Sequence, residues 1–153
     1  GESLDDCQYV FTQFHQNAAR RNTPMRCVQS RRWGYIFNPW SNGTRRFRNE
    51  SQAGRTWAAM RAAAADDPDI AARADFFTYR APEELYDFAS DPDALHNLID
   101  DPACAEVRRE LTGILEQWMV DTGDPALETF RRRDDADARE DFVQQTIAEL
   151  GGE

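Results

Sequence analysis

At 153 residues the chain is the size of one domain, and its 41% apolar content is enough for one packed core. No run approaches the roughly 18 apolar residues that read as a membrane span. The opening residues, 1–9, are polar and acidic rather than a signal peptide, and a net charge of −10 argues against a nucleic-acid partner.

In chain order, "CQYVFTQFHQ" (7–16) alternates Tyr9, Phe11 and Gln13 with Val10, Thr12 and Phe14, which reads as a strand with apolar groups on both faces. "NAARRNTP" (17–24) reads as a loop. "MRCVQS" (25–30) and "WGYIFNPW" (33–40) are two further strands, separated only by Arg31 and Arg32, so an antiparallel hairpin is expected. "SNGT" (41–44) is a turn. The Ala-rich stretch 52–68 places Trp57, Met60 and Ala64 at helical spacing and stops at Asp67-Pro68. A second short helix is expected over 69–77 and a strand over Glu84–Phe88.

"DPDALHNLIDDP" (91–102) reads as turns and one helical turn, because Asp before Pro starts turns and caps helices. Leu85, Phe88, Leu95 and Leu98 are its expected apolar anchors, and His96 is expected to bond the local backbone. From Pro102 the chain is a clear helix: Val107, Leu111, Ile114, Leu115, Trp118 and Met119 form one apolar stripe. Asp101 is the expected N-cap, Pro102 the first helical residue, and Gly123 with Asp124-Pro125 the stop. Residues 131–141 read as a charged connector and 142–150 as a short terminal helix. The sum is an α+β fold: a small antiparallel β-sheet of about four strands packed against a long amphipathic helix plus shorter helices.

Charge is unevenly placed. Residues 16–65 carry ten Arg against the single acid Glu50, whereas residues 66–153 carry 24 acids against eight Arg. All 18 basic residues are Arg. Such a set suits bidentate recognition of phosphate, sulfate or carboxylate, although a GC-rich genome also explains the absence of Lys. The three cysteines, Cys7, Cys27 and Cys104, fit neither a zinc motif nor a CxxC site. Asp87, Asp91 and Asp93 fail as a calcium loop: there is no central Gly, and Leu98 stands where the closing Glu is needed. No metal site is expected.

The stretch "PEELYDFASDPDALHNLIDDP" (82–102) resembles the C-terminal signature of the sulfatase family, "ELYDL-x-x-DP-x-E-x-x-NL". The helix ending "EQWMVDTGDP" (116–125) is similar to that family's closing helix, and "TPMRCVQSRRWGYIFNPW" (23–40) to the "PMR-x-V-R-T-x-R-x-K-Y-I-x-N" hairpin of its heparan N-sulfatase (sulfamidase) branch and bacterial relatives. The resemblance covers about residues 9–125. It implies that residues 1–125 are a sulfatase C-terminal subdomain, with 126–153 a charged connector and terminal helix. The parent protein would hydrolyse a sulfate ester or sulfamate. Its partners would be the N-terminal catalytic domain of the same protein, a sulfated substrate, and a second copy of the chain in isolation. Family members are often exported, which leaves the compartment open.

The family's chemistry runs on a Cys or Ser in C/S-x-P-x-R, oxidised to formylglycine, beside a calcium held by Asp and Asn clusters. Neither is found here. "CVQSR" (27–31) has Gln29 where Pro is required, and "NTPMR" (22–26) starts with Asn22, which cannot become an aldehyde. Both cofactors would belong to the catalytic domain, and no catalytic residue is expected in this chain. The segment 14–26 resembles a loop that looks toward the substrate pocket in the sulfamidase-like branch. It offers His15, Arg20 and Arg21 as substrate-binding residues, against the plainer reading of an exposed strand end and a solvated loop. "RRFRNESQAGR" (45–55) is either an anion site or a charged loop. The rival to the subdomain reading is a stand-alone module that binds anions or sulfated glycans through its arginines.

Overall fold

The computed structural model describes residues 8–16 and 21–151. Four strands, β1 (Val10–Gln16), β2 (Asn22–Gln29), β3 (Trp33–Phe37) and β4 (Glu83–Asp87), form one antiparallel sheet in chain order. The β2–β3 turn is made by Ser30, whose Oγ accepts from the backbone N–H of Trp33 at 2.9 Å. Arg31 and Arg32 thereby stand at its tip. The excursion between β3 and β4 contains a 3₁₀ turn (Glu50–Ala53), then α1 (Arg55–Ala63) and α2 (Pro68–Tyr79). Asp67 caps α2 by accepting from Asp69 and Ile70, with Pro68 at the first helical position. The remaining helices are α3 (Ala105–Thr122), α4 (Leu127–Arg131) and α5 (Ala136–Leu150).

The sheet has two unequal faces. Alternation places Val28, Tyr35, Phe37 and Leu85 on one side, where they pack with Leu111, Leu115 and Met119 of α3, and with Ala126, Phe130 and Phe142. Phe130 meets Phe37 edge-on at 5.2 Å and Tyr35 at 6.3 Å between ring centroids. The other side carries Phe14, Met25, Cys27 and Ile36, all only half-buried. A separate aromatic cluster, Trp40–Phe47–Phe77–Trp57, ties α1 and α2 to the end of β3.

The α+β expectation holds, with four strands and a long helix. Several local readings differ. Asn22, Thr23 and Pro24 extend β2 instead of lying in a loop; the pairing with β1 is irregular between Phe14 and Gln16, and that interruption accommodates a proline without a donor. The helix expected over 52–68 is broken at Gly54 and ends at Ala63. Leu95 is not an anchor; it is 49% exposed. His96 binds locally through its backbone N–H, which donates to the Asp91 carboxylate at 2.8 Å. The stretch 131–141 is not an open connector. Asp135 caps α5 six residues earlier than expected, and α4, unseen in the sequence, brings Phe130 fully into the core.

Candidate functional site: buried arginine clasps and an arginine-lined depression

The acidic signature strand β4 is buried along its whole length, so each of its three carboxylates needs a partner. Each has one. Glu83 accepts from the Tyr35 hydroxyl at 2.5 Å and from Arg108 at 2.8 Å, with Arg133 at 3.3 Å. Glu84, fully buried, is held by both ends of the Arg80 guanidinium, by Asn38 Nδ2 at 2.8 Å and by the Tyr86 hydroxyl at 2.9 Å. Asp87 takes Arg32 bidentately at 2.9 and 2.8 Å. The Arg32 bonds hold the Asp87 carboxyl down at about 2. Burial, then the adjacent carboxylates Glu83 and Glu84, push the phenols of Tyr35 and Tyr86 well up, so both are neutral donors.

After β4 the chain turns back. Asn97 Oδ1 accepts from Leu85 N–H at 2.9 Å, its Nδ2 donates to the Glu83 carbonyl at 3.1 Å, and Leu98 N–H donates to the Leu85 carbonyl at 2.8 Å. The "HNL" segment thus covers the open edge of β4. Glu83, Glu84 and Asp87 are thus spent on clasps, and Asp91 and Asp101 on turns. Among the described residues no group of three or more His, Cys, Asp or Glu is placed to hold a metal ion.

Arg26 is the buried centre of the opposite end. Its five N–H donors are all used: Nε and Nη2 bind Asp124 at 2.5 and 2.8 Å, Nη1 binds the carbonyls of Met25 and Phe14 at 2.9 and 3.3 Å, and Nη2 also meets His15 Nε2 at 3.2 Å. A guanidinium only donates, so His15 Nε2 must accept and the imidazole is neutral with its proton on Nδ1. Burial first, and the Arg26 charge second, lower the His15 pKa accordingly. His15 borders a depression of about 370 Å³ walled by Pro125 and the α5 residues Phe142, Gln145, Thr146 and Glu149. Cys27, next to Arg26 in the chain, lies mid-strand opposite Thr12 and Ile36; burial raises its thiol pKa, the reverse of an activated nucleophile.

Of the three substrate-binding candidates, Arg20 lies outside the described residues. His15 and Arg21 are on opposite sides of the end of α5 and do not share a depression. Arg21 instead meets the second arginine group: Arg21, Asn22, Thr23, Arg45, Arg46 and Arg48 line one depression of about 370 Å³, closed by Ile147. Arg45 is held by Glu140 through paired bonds of 2.6 and 2.5 Å, and the Arg46 guanidinium lies over the Tyr79 ring at 6.0 Å. Thr23 went unnoticed in the sequence. A Thr before Pro carries no signal there; its place in the lining follows from the extension of β2.

No family model matches the chain, and neither does any curated protein. Solved structures do. A 2-O GAG sulfatase aligns over 76% of this chain at 20% identity with a TM-score of 0.45. A candidate sulfatase from Bacteroides thetaiotaomicron aligns over 80% at 19% identity and TM-score 0.47. A protein solved in complex with its substrate D-glucosamine-2-N,6-O-disulfate aligns over 80% at 14% identity and TM-score 0.46. The chain spans 17–18% of the length of these structures. Scores and identities this low do not place it in a family.

Proposed function

We propose that the chain is the C-terminal subdomain of a sulfatase, with a sulfamidase-like hairpin, whose parent hydrolyses a sulfuric ester or sulfamate. The observation that carries this is the meeting of the two motif stretches. "PMRCVQSRRWGYIF" forms β2 and β3, "EELYD" forms β4 directly beside β3, and the two are locked by the Arg32–Asp87 and Asn38–Glu84 bonds. A chance match to two separate motifs has no reason to build one clasped unit.

In this reading residues 1–125 form the subdomain, its core completed by Ala126, Phe130 and Phe142 of the segment that follows, and the half-buried face of Phe14, Met25, Cys27 and Ile36 meets the catalytic domain. His15, at the end of β1, closes one wall of the substrate pocket, and Arg21, with Arg20 next to it in the chain, binds the substrate from a separate side. Since Nε2 of His15 is committed to Arg26, only its Nδ1–H is left to donate to a substrate hydroxyl. Nucleophile, calcium and formylglycine belong to the catalytic domain, and the subdomain alone turns nothing over.

The test is the intact mass of the natural gene product. A mass several times 17.6 kDa, with C/S-x-P-x-R in the remainder, supports the reading. A product near 17.6 kDa, or a longer one without that motif, refutes it.

A further inference from the structure

We infer that the outer edge of β1 pairs with β1 of a second copy of this chain, antiparallel and centred on Thr12, so that two four-stranded sheets become one continuous sheet. The inference stands on the phase of the sheet's hydrogen bonds and does not depend on the family reading.

The two edges of the sheet differ. The β4 edge is covered by Asn97 and Leu98, which take up the N–H and the carbonyl of Leu85. At the other end of the strand order, β1 has no strand beyond it among the described residues. The backbone groups it presents follow from the ladder. Ser30 N–H donates to the Trp33 carbonyl at 2.8 Å, so Ser30, Val28 and Arg26 exchange bonds with β3. Alternation then turns Met25 and Cys27 toward β1, where they face Phe14 and Thr12. Arg26 agrees with this phase, because its Nη1 reaches the carbonyls of both Met25 and Phe14, which lie together between the strands. Phe11 and Gln13 therefore point their N–H and C=O groups away from the sheet. No bond outside the ladder reaches either of them among the described residues.

A second copy fits this edge because the strand is complementary to itself. Natural edges are blunted by charge, proline or a bulge. β1 reads VFTQFHQ, with no proline and no charged side chain, and its pairing becomes irregular only after Phe14. Val10 is 54% exposed, and Thr12 and Gln13 are exposed as well. A two-fold axis through Thr12, perpendicular to the sheet, sets Phe11 opposite the partner's Gln13, the residues whose backbone groups face outward. The same axis sets Val10 opposite the partner's Phe14, twice, and Thr12 opposite itself in a pair without backbone bonds. The seam thus joins apolar to apolar and brings no like charges together. A register centred on Phe11 or on Gln13 loses both Val10–Phe14 pairs. Pairing edge to edge leaves the sheet face with Met25 and Ile36 open on both copies, so this surface is distinct from the one assigned to a catalytic domain.

The experiment is sedimentation velocity of the 153-residue chain over a concentration series, with amide hydrogen exchange read by NMR at both ends of the series. A reversible monomer–dimer equilibrium is expected. The Phe11 and Gln13 amides, open to exchange in the monomer, should gain protection on the order of tenfold or more in the dimer, whereas Thr12 and Phe14, bonded to β2, should be protected in both. Thr12→Lys sets two ammonium groups against each other at the axis and should weaken association on the order of tenfold or more. Gln29→Lys, on the same face but one strand in from the edge, should leave association as it was. The inference is overturned if the parent chain sediments as a monomer throughout, or if it dimerises while Phe11 and Gln13 keep exchanging freely, since the contact then lies elsewhere; neither result needs a variant. It is equally overturned if Thr12→Lys, folded by circular dichroism, associates as the parent does, or if Gln29→Lys costs as much.

Discussion

Asp124→Asn is the substitution that most directly tests how the sheet is joined to the end of α3. Arg26 and Asp124 have side-chain exposures of 0% and 1%, and sit on β2 and on the turn after α3. Asp124 also accepts from Ala126 N–H at 2.8 Å, which starts α4. Asn keeps the shape and that acceptor, but leaves a guanidinium buried without its counter-charge. Breaking one side of a buried pair costs about 3–5 kcal/mol. For a domain of this size each kcal/mol moves Tm by about 2–4 °C, so a fall of roughly 6–20 °C is expected. Replacing both partners, as Arg26→Met/Asp124→Leu, removes the stranded charge, and the double variant should be far less destabilised than the sum of the single changes. Urea midpoints for the parent, Arg26→Met, Asp124→Leu and the double close the cycle. A cost below about 1 kcal/mol for Asp124→Asn, or additivity across the cycle, would refute the idea that this ion pair is desolvated and coupled.

Gly34 is occupied from above by Phe88: a Cβ there would lie 2.6 Å from Cζ of the ring. Gly34→Ala should therefore cost about 1–3 kcal/mol in urea denaturation, and Phe88→Leu in the same chain should recover part of it. Phe130→Ala should cost about 3–5 kcal/mol by the same assay, because the ring is fully buried between Tyr35 and Phe37; a change under about 1 kcal/mol would remove α4 from the core. In an NMR pH titration His15 should titrate below 6.5, and Arg26→Met should move it upward. A lowered histidine pKa means stability that is present above the unfolded value and falls as pH drops through about 6.5. Asp87 should titrate near 2, so its contribution is complete above pH 3.8 and fades as pH falls toward 2; Arg32→Gln should raise that midpoint and remove this part of the acid dependence.

The elements with strong periodicity were legible. The stripe from Val107 to Met119 gave α3, and the two-residue gap at Arg31–Arg32 gave the β2–β3 hairpin, since local spacing alone decides such elements. What could not be read depended on partners far along the chain. Nothing local marks Asn22–Pro24 as strand; they are strand because β1 lies beside them. The charge run 131–141 reads as solvated, yet its helix is anchored from outside the run, by Phe142 and Val143 behind it and Phe130 ahead of it. The candidate site splits the same way. Arg21 and the 45–48 group each stood out as clusters, but their meeting at one depression, with Thr23 in its wall, is a property of the sheet register and of the docking of α5.

The exclusive use of arginine acquires a physical account from the clasps. Arg26, Arg32, Arg45 and Arg80 each bind a carboxylate through two nitrogens at once, and the first three join segments far apart along the chain. Arg26 ties β2 to the exit of α3, Arg32 the β2–β3 turn to β4, and Arg45 the loop after β3 to α5. Arg80, at a positive φ of 56°, binds Glu84 across the turn that enters β4. A lysine ammonium offers one point of attachment and cannot match a carboxylate with a planar fork. It also cannot reach two backbone carbonyls, a carboxylate and an imidazole together, as Arg26 does. Base composition is enough to explain why the surface arginines are not lysines. It is not enough at these four positions, where the paired bonds require the planar guanidinium, and where at two of them, Arg32 and Arg80, the β4 acids Asp87 and Glu84 would otherwise be buried without a counter-charge.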